Sequence, residues 1–187
     1  MLRTIEVRKN LGMESDQRVK ERKDATPRKA GKSALKIPEA GLCNGTVLRM
    51  ATRRVSQLYD LIMAPAGLRS TQWSILAHIA RVRKQSIGET ARHLVLDRSA
   101  LAHNLKPLER DGLVQVKVDE NDKRSRLVVL TEAGRAKVAE VIPLWKRAQD
   151  SYEAVVGAGK AKALRASLQQ LTSEEFWEAF EQNRKTR

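Results

Sequence analysis

The residues best suited to chemistry lie in the segment DRSALAHNLKPLERDGLV, at positions 97–114. At 100° per residue, one side of a predicted helix carries leucines, and the opposite side carries polar and cationic residues. The polar side consists of Ser99, His103, Lys106 and Arg110, and the leucines are Leu101, Leu105 and Leu108. Cations, a hydroxyl and an imidazole bind a polyanion through charge and hydrogen bonds. The segment therefore predicts a binding surface on a helix that is anchored by its leucines.

Composition favours the same kind of partner. The 187 residues include 36 Lys and Arg against 22 acids, a net charge of +14 with a pI near 10.3. Such an excess indicates nucleic acid or an anionic membrane surface. No apolar run reaches the roughly 18 to 20 residues of a spanning helix, so a cytoplasmic location is expected. Aromatic residues make up only 4%, which disfavours the stacking platforms of single-strand binders.

Catalytic and metal-binding patterns are not recognisable in the sequence. The single cysteine, Cys43, excludes an internal disulfide framework and a multi-cysteine metal site. His78 and His93 fall in predicted helices without a second ligand at metal spacing, which favours packing or surface roles over coordination. No catalytic triad, carboxylate pair or phosphate-binding glycine loop can be justified locally. The sequence thus predicts a protein that is not an enzyme and uses no cofactor.

Local signals place the polyanion-binding helix in a helix-turn-helix. Ser86 and Glu89 form a predicted capping box that opens a short helix from Ile87. Asp97 is the predicted N-cap of the next helix, Pro107 is expected to kink or tighten its end, and Gly112 to stop it. The second helix of such a motif sets its N-terminal side chains against base edges in the major groove.

A predicted β-hairpin follows directly. LVQVKV and RLVVL have the composition and period of strands, and DENDKRS between them is a charged turn. After a helix-turn-helix, a basic hairpin is typical of a wing, so Lys123, Arg124 and Arg126 are candidates for the minor groove. Asp122 is expected to hold the Arg124 guanidinium as a bidentate pair. An ordinary solvated hairpin is the alternative interpretation.

The flanking regions complete the predicted organisation. Residues 1–40 are predicted to form a basic, disordered tail. This tail is either simply solvated or acts as a binding arm. Apolar stripes from Thr46 to Met63, and after the predicted N-cap Thr131, indicate long helices, with a bend at Pro143 and a break at Gly157. These stripes exceed what one small winged helix can cover, which predicts a dimer and an inverted repeat with half-sites roughly 34 Å apart.

The predicted fold class is therefore mainly α with a small β-hairpin wing, that is, α+β. Residues 41–187 are expected to form one domain, with the winged helix at about 68–130. The dimerisation helices are expected at about 43–64 and 131–180.

Over about Leu42 to Leu171, the order and spacing of LRSTQWSILAHIA, SIGETARHLVLDRSALAHNLKPLERDGLV and DENDKRSRLVVLTEAG resemble the MarR family of bacterial winged-helix regulators. The resemblance implies a homodimer that binds a pseudo-palindromic operator, usually a repressor released by a small ligand or by oxidation. By position, the recognition surface is matched by Arg98, Ser99, His103 and Lys106, and the wing pair by Asp122 and Arg124. His103 stands where relatives often carry arginine, so base preference does not transfer there.

Cys43 raises a redox alternative. The OhrR-type peroxide sensors of this family carry a reactive cysteine at the start of the first helix, where the helix dipole favours a thiolate. Aligned on Leu48 and Tyr59, however, their cysteine falls at Gly45. Arg49 replaces one supporting tyrosine, whereas Tyr59 matches the other.

The resemblance also implies a ligand pocket, with Arg53, Tyr59 and Trp73 as candidate neighbours. Two functions stay open: a selective DNA-binding regulator, whose effector is a ligand or a peroxide, and a winged-helix module that binds DNA or proteins without sequence selectivity.

Overall fold

The computed structural model describes residues 37–186. The predicted tail, residues 1–40, lies outside the described residues apart from 37–40. A short 3-10 turn, Ala40–Leu42, belongs to a unit that ends at Cys43, and the chain from Asn44 onward forms a second unit.

Seven α-helices and three short strands are described in the second unit. The helices are α1 Asn44–Met63, α2 Ser70–Val82, α3 Ile87–His93, α4 Arg98–Arg110, α5 Glu132–Val156, α6 Ala158–Leu171 and α7 Glu174–Lys185. The strands are β1 Gln85–Ser86, β2 Val114–Val118 and β3 Arg126–Leu130, which form an antiparallel sheet in the order β1-β3-β2. The predicted fold class is confirmed, with β1 as an unpredicted third strand. Between residues 37 and 186, no helix combines the length and apolar character needed to cross a membrane.

The predicted caps hold three of the helices in place. Ser86 Oγ accepts the Glu89 backbone N–H at 3.1 Å, and Glu89 Oε2 accepts the Ser86 backbone N–H at 2.9 Å. Asp97 and Thr131 each accept the backbone N–H three residues on, at 2.6 and 3.0 Å. These bonds satisfy donors that a helix N-terminus otherwise leaves unpaired. The capping box and both N-caps are confirmed.

Helix α4 runs through Pro107 and ends three residues later. The Gly112 N–H donates to the Glu109 carbonyl at 3.0 Å, and the Leu113 N–H donates to the Leu108 carbonyl at 2.8 Å. Gly112 has a φ of 70°, the left-handed conformation that this C-terminal motif requires. The predicted stop at Gly112 is confirmed.

The core of the winged helix is built from the leucine side of α4. Leu101 and Leu108 are 0% exposed and Leu105 is 3% exposed, as the helical period predicts. They join buried residues of the other elements, namely Met63, Ile75, Leu76, Ile79, Val114, Val128 and Val141. Each fully buried aliphatic side chain contributes on the order of 1.5–3 kcal/mol. The burial fixes the rotation of α4 and directs its opposite face outward.

The base of the wing is joined to the first turn of α5. Thr131 Oγ1 donates to the Gly112 carbonyl at 2.6 Å, and the Thr131 N–H donates to the Leu113 carbonyl at 3.1 Å. A β-carbon on Gly134 would overlap the Leu113 carbonyl oxygen. Only glycine therefore permits this approach of α5 to the end of α4.

The remaining helices leave much apolar surface uncovered. Helix α5 is continuous across Pro143, and the predicted break falls at Gly157, whose φ is 91°. Helix α6 buries only Ala161, and α7 buries no residue. Exposed large apolar side chains on α1, α6 and α7 are Val47, Leu48, Met50, Leu61, Leu164, Leu168, Leu171, Phe176, Trp177 and Phe180.

Candidate nucleic-acid interface

The outer face of α4 presents the predicted polar residues to solvent. Arg98, Ser99, His103 and Lys106 are all exposed. Within residues 37–186, none of these four side chains has a hydrogen-bond or ion-pair partner. The Asp97 cap fixes the start of α4, and the buried leucines fix its rotation. The arrangement offers unsatisfied donors and cations on a rigid support.

Arg98 points away from the row formed by the other three side chains. It lies about 100° around the helix from Ser99, and its guanidinium lies against α3. A β-carbon on Gly88 would come within 3.2 Å of Arg98 Nη2. Sequence reasoning missed Gly88, since its role depends on a contact between two helices.

Arg98 faces a groove of about 350 Å³ between α3, α4 and the wing. The charged residues that line it are Arg98, Asp122, Arg124 and Arg126. Three guanidiniums against one carboxylate make the groove electropositive, and arginine suits bidentate phosphate recognition. The structure thus brings the start of α4 and the wing together at one electropositive groove.

At the wing tip, Asp122 has a different partner from the one predicted. Asp122 Oδ1 accepts the backbone N–H of Arg124 at 3.0 Å, and no ion pair in the described part of the chain joins the two side chains. The predicted bidentate pair is therefore wrong for this structure. An aspartate in a tight turn readily accepts the N–H two residues on, without immobilising a long arginine side chain.

The other wing cations differ in what they are available to bind. Arg126 Nη1 donates to the Lys123 carbonyl at 3.0 Å, so this guanidinium is turned back onto the hairpin. Lys123 and Arg124 are exposed, and neither side chain has a polar partner among residues 37–186. These two residues therefore provide the projecting charges of the wing tip.

A pair of histidines links α2 to α3. The Gln85 amide bridges the pair: its Oε1 lies 2.7 Å from His78 Nε2, and its Nε2 lies 3.0 Å from His93 Nδ1. The two imidazole centroids are 5.4 Å apart. The described residues contain no group of three potential ligands able to hold a metal ion. The pair orients the helix that precedes α4, and Gln85 was not predicted from sequence.

The redox candidates lie in different units. Cys43 is exposed and immediately precedes α1. The Tyr59 hydroxyl donates to Gln149 Oε1 on α5, and burial raises the pKa of Tyr59, with Arg165 acting in the opposite direction.

The three predicted pocket neighbours do not share one cavity. Tyr59 lines a cavity of about 330 Å³ beside α6, whereas Trp73 lines one of about 450 Å³ between α2 and α5. Arg53 is exposed on α1 and lines neither cavity.

Comparison with known proteins agrees with this geometry. The family described as a winged helix DNA-binding domain matches residues 68–134. The transcriptional activatory protein BadR of Rhodopseudomonas palustris is 42% identical over 72 residues, which cover 37% of this chain and 41% of BadR. The chain thus spans less than half the length of that curated relative.

Two solved structures extend the likeness. The M. tuberculosis transcriptional regulator MosR, solved in complex with DNA, is 33% identical with a TM-score of 0.65, over 73% of this chain and 97% of MosR. A mutant of E. coli MarR, complexed with operator DNA, is 23% identical with a TM-score of 0.62, over 68% of this chain and 91% of that one, and shares the fold. The family model covers the helix-turn-helix and the wing, and MosR is matched over 97% of its own length at 33% identity, so this chain belongs to the MarR family of winged-helix transcriptional regulators.

Proposed function

We propose that this protein is a homodimeric repressor that binds a pseudo-palindromic double-stranded DNA operator and is released by a small ligand. The exposed outer face of α4 is the observation that carries the proposal. Ser99, His103 and Lys106 have no polar partner among the described residues, while Leu101 on the opposite face is completely buried. MosR and E. coli MarR were both solved with DNA, which supports the same partner here.

The side chains divide into two roles. Ser99, His103 and Lys106 read base edges in the major groove, since recognition helices place such residues there. Lys123 and Arg124 enter the adjacent minor groove from the wing tip. Arg98 and Arg126 line the electropositive groove beside α3, and the Arg98 guanidinium, which has no polar partner among the described residues, is placed to pair with a DNA phosphate there.

The exposed apolar faces support the homodimer. A second copy that covers α1, α6 and α7 removes leucines and aromatic side chains from water, which favours association. A two-fold dimer places two α4 helices roughly 34 Å apart, one turn of DNA, and so predicts an inverted repeat.

Selection of bound DNA from a random library at fixed salt tests this function. We expect an inverted repeat with one-turn half-site spacing, and an affinity that falls steeply with salt as counterions are released. Ser99→Ala and His103→Ala should change the selected bases, whereas Arg124→Ala should weaken binding across sequences by about 1–3 kcal/mol. Glu109→Gln is the control on the same helix. It leaves the proposed contact residues in place and should not change the selected bases.

Equal affinity for selected and random DNA would instead favour the non-selective winged-helix module. BadR is described as activatory, so the direction of control needs its own test. A reporter gene whose promoter overlaps the selected operator should be silenced by the wild type and released by Arg124→Ala.

The peroxide-sensing alternative depends on Cys43. It predicts that peroxide releases DNA from the wild type but not from Cys43→Ser, with Tyr59→Phe intermediate. Equal release from both proteins would eliminate it. The MarR family is one of regulators rather than enzymes, and we assign no catalytic step; such a regulator acts where the chromosome lies, in the cytoplasm.

A further inference from the structure

The turn between α3 and α4 carries a valine where the backbone favours glycine. Val95 has a φ of 52°, in the left-handed region. A β-branched residue is a marked outlier there, because its branches crowd the adjacent backbone atoms. Between residues 37 and 186, Arg83 is the only other non-glycine residue with a positive φ. The backbone at Val95 is therefore strained by its own side chain.

The hydrogen bonds of the turn require this conformation. The Leu96 N–H donates to the Ala91 carbonyl at 2.9 Å. The Val95 N–H donates to the Arg92 carbonyl at 3.0 Å. The two bonds form a Schellman motif at the end of α3, and the residue at the position of Val95 in such a motif is usually glycine. The turn thus specifies the left-handed backbone at this position, but it does not specify a valine.

Burial within the chain does not compensate for the strain. Val95 is 65% exposed, whereas Leu94 and Leu96 on either side pack against the hydrophobic core. The leucines anchor the turn, and the valine between them points away from that core. Because an exposed side chain gains little from the hydrophobic effect, the fold itself has no need of this valine. Uncompensated strain of this kind is concentrated at functional sites.

Val95 lies beside the proposed DNA-binding face of α4. It precedes the N-cap Asp97 by two residues, and two residues of chain span at most about 7 Å. The N-terminal end of a recognition helix is the end that enters the major groove. In that groove, thymine presents an apolar methyl group on its base edge, which small apolar side chains contact. The exposed valine and the thymine methyl are thus chemically matched.

We propose that Val95 contacts the methyl group of a thymine in each operator half-site and selects thymine at that position. Contact removes both apolar groups from water, which favours binding. The strained turn holds the side chain at the end of α4 that enters the groove. This inference rests on the proposed function, since it requires α4 to be the recognition helix. It adds a specificity-determining residue that lies outside that helix.

Replacing thymine by deoxyuridine tests the contact without changing the protein. Deoxyuridine pairs with adenine as thymidine does and lacks only the methyl group. The operator selected by the wild type is synthesised with deoxyuridine at one thymine position at a time, in both half-sites. At the position that Val95 contacts, affinity measured by fluorescence anisotropy should fall about fourfold for each half-site, the value of one buried methyl group.

Val95→Gly separates the DNA contact from the fold. Glycine adopts the left-handed backbone without strain, so this variant should melt about 2–4 °C higher than the wild type. It should nevertheless bind the thymine operator more weakly, and it should not distinguish thymine from deoxyuridine at the contacted position. A residue that served only the fold would not combine higher stability with lower selectivity. Val95→Asn, which also tolerates this backbone, should likewise fail to distinguish the two bases.

Val155→Gly is the matched control, because it makes the same substitution at another exposed valine. Val155 is 88% exposed and lies in the last turn of α5. Glycine disfavours a helix, so this variant should melt at a lower temperature than the wild type. It should select the same bases as the wild type and keep the discrimination between thymine and deoxyuridine.

Three results would overturn the inference. The first is an operator in which no thymine responds to loss of its methyl group. The second is a Val95→Gly protein that still discriminates thymine from deoxyuridine, and the third is a Val95→Gly protein that melts below the wild type. Each of these results, obtained on a selected inverted repeat, leaves the proposed function intact. If the wild type selects no sequence, the proposed function fails, and this inference fails with it.

Discussion

The winged-helix lobe, α2 through β3, and the long helices, α1 and α5 to α7, differ in how completely they bury their apolar residues. In the lobe, most large aliphatic side chains are buried, and the exposed exceptions are Val95 and Val118. Among the long helices, α6 buries one residue and α7 none. The lobe thus buries its apolar residues within a single copy of the chain and leaves cations of α4 and the wing exposed. The long helices leave apolar side chains exposed, and the proposed homodimer would cover them with a second copy.

The largest effect is expected from substitutions on the exposed apolar face of α6. Leu164→Arg with Leu168→Arg places two charges on the exposed stripe of α6, which a dimer would have to bury. We expect monomers by analytical ultracentrifugation and a loss of operator affinity of about 10² to 10⁴, the value of a second linked contact. Ala166→Arg, on the opposite side of α6, should remain dimeric. A dimeric double variant would contradict the assignment of this stripe.

The next largest effect is expected from a substitution in the buried core of the winged-helix lobe. Leu101→Ala empties a fully buried site and should lower the free energy of unfolding by about 2–5 kcal/mol in urea denaturation. Val118→Ala, at a half-exposed position on β2, should change it by less than about 0.5 kcal/mol. Equal effects would mean that the leucine face is not the anchor of α4.

A smaller effect tests the junction of the two regions. Gly134→Ala forces a β-carbon onto the Leu113 carbonyl and should cost about 1–3 kcal/mol through overpacking. Gly159→Ala, in open space in the first turn of α6, should stabilise the protein by up to about 0.5 kcal/mol, because alanine favours a helix. Thermal melts of the two variants should shift in opposite directions; a tolerated Gly134→Ala would contradict the close approach.

The smallest effect is expected at the capping box of α3, where the carboxylate of Glu89 contributes to stability. Hydrogen bonds from Ser86, first its hydroxyl and then its backbone N–H, hold the pKa of Glu89 below its ordinary value of 4.5. A carboxyl with a lowered folded pKa stabilises the fold above its unfolded pKa and loses that contribution as pH falls through the folded value. The wild type should therefore melt higher than Glu89→Gln near neutral pH, with the gap closing below about pH 4.5. If the difference in melting temperature did not depend on pH, it would arise from packing and not from the charge of Glu89.

Local physics explains which features could be predicted. The caps at Ser86, Asp97 and Thr131 and the stop at Gly112 depend on residues within a few positions of one another, so the sequence contains the whole interaction. The exposure of His103 follows from the helical period once the leucines are buried.

The remaining features depend on contacts between distant segments. β1 has only two residues, too few to show alternation, and it exists because β3 supplies its partners. The contact of Gly88 with Arg98 and the cavity that Trp73 lines between α2 and α5 arise from helix packing, which no local pattern encodes. At Asp122, the carboxylate had two chemically reasonable partners, and the geometry of the turn favoured the backbone.

The hydrogen bond between Thr131 and Gly112 couples a tilt of α5 to the position of the end of α4. One end of this helix is clamped just beyond the recognition helix, and the other lies 25 residues away among the uncovered apolar faces. For a helix about 37 Å long, a tilt of about 5° displaces one end by about 3 Å relative to the other. A displacement of that size is comparable to the length of a hydrogen bond. In the proposed dimer, the stiffness of α5 would therefore set the spacing of the half-sites that the two α4 helices contact.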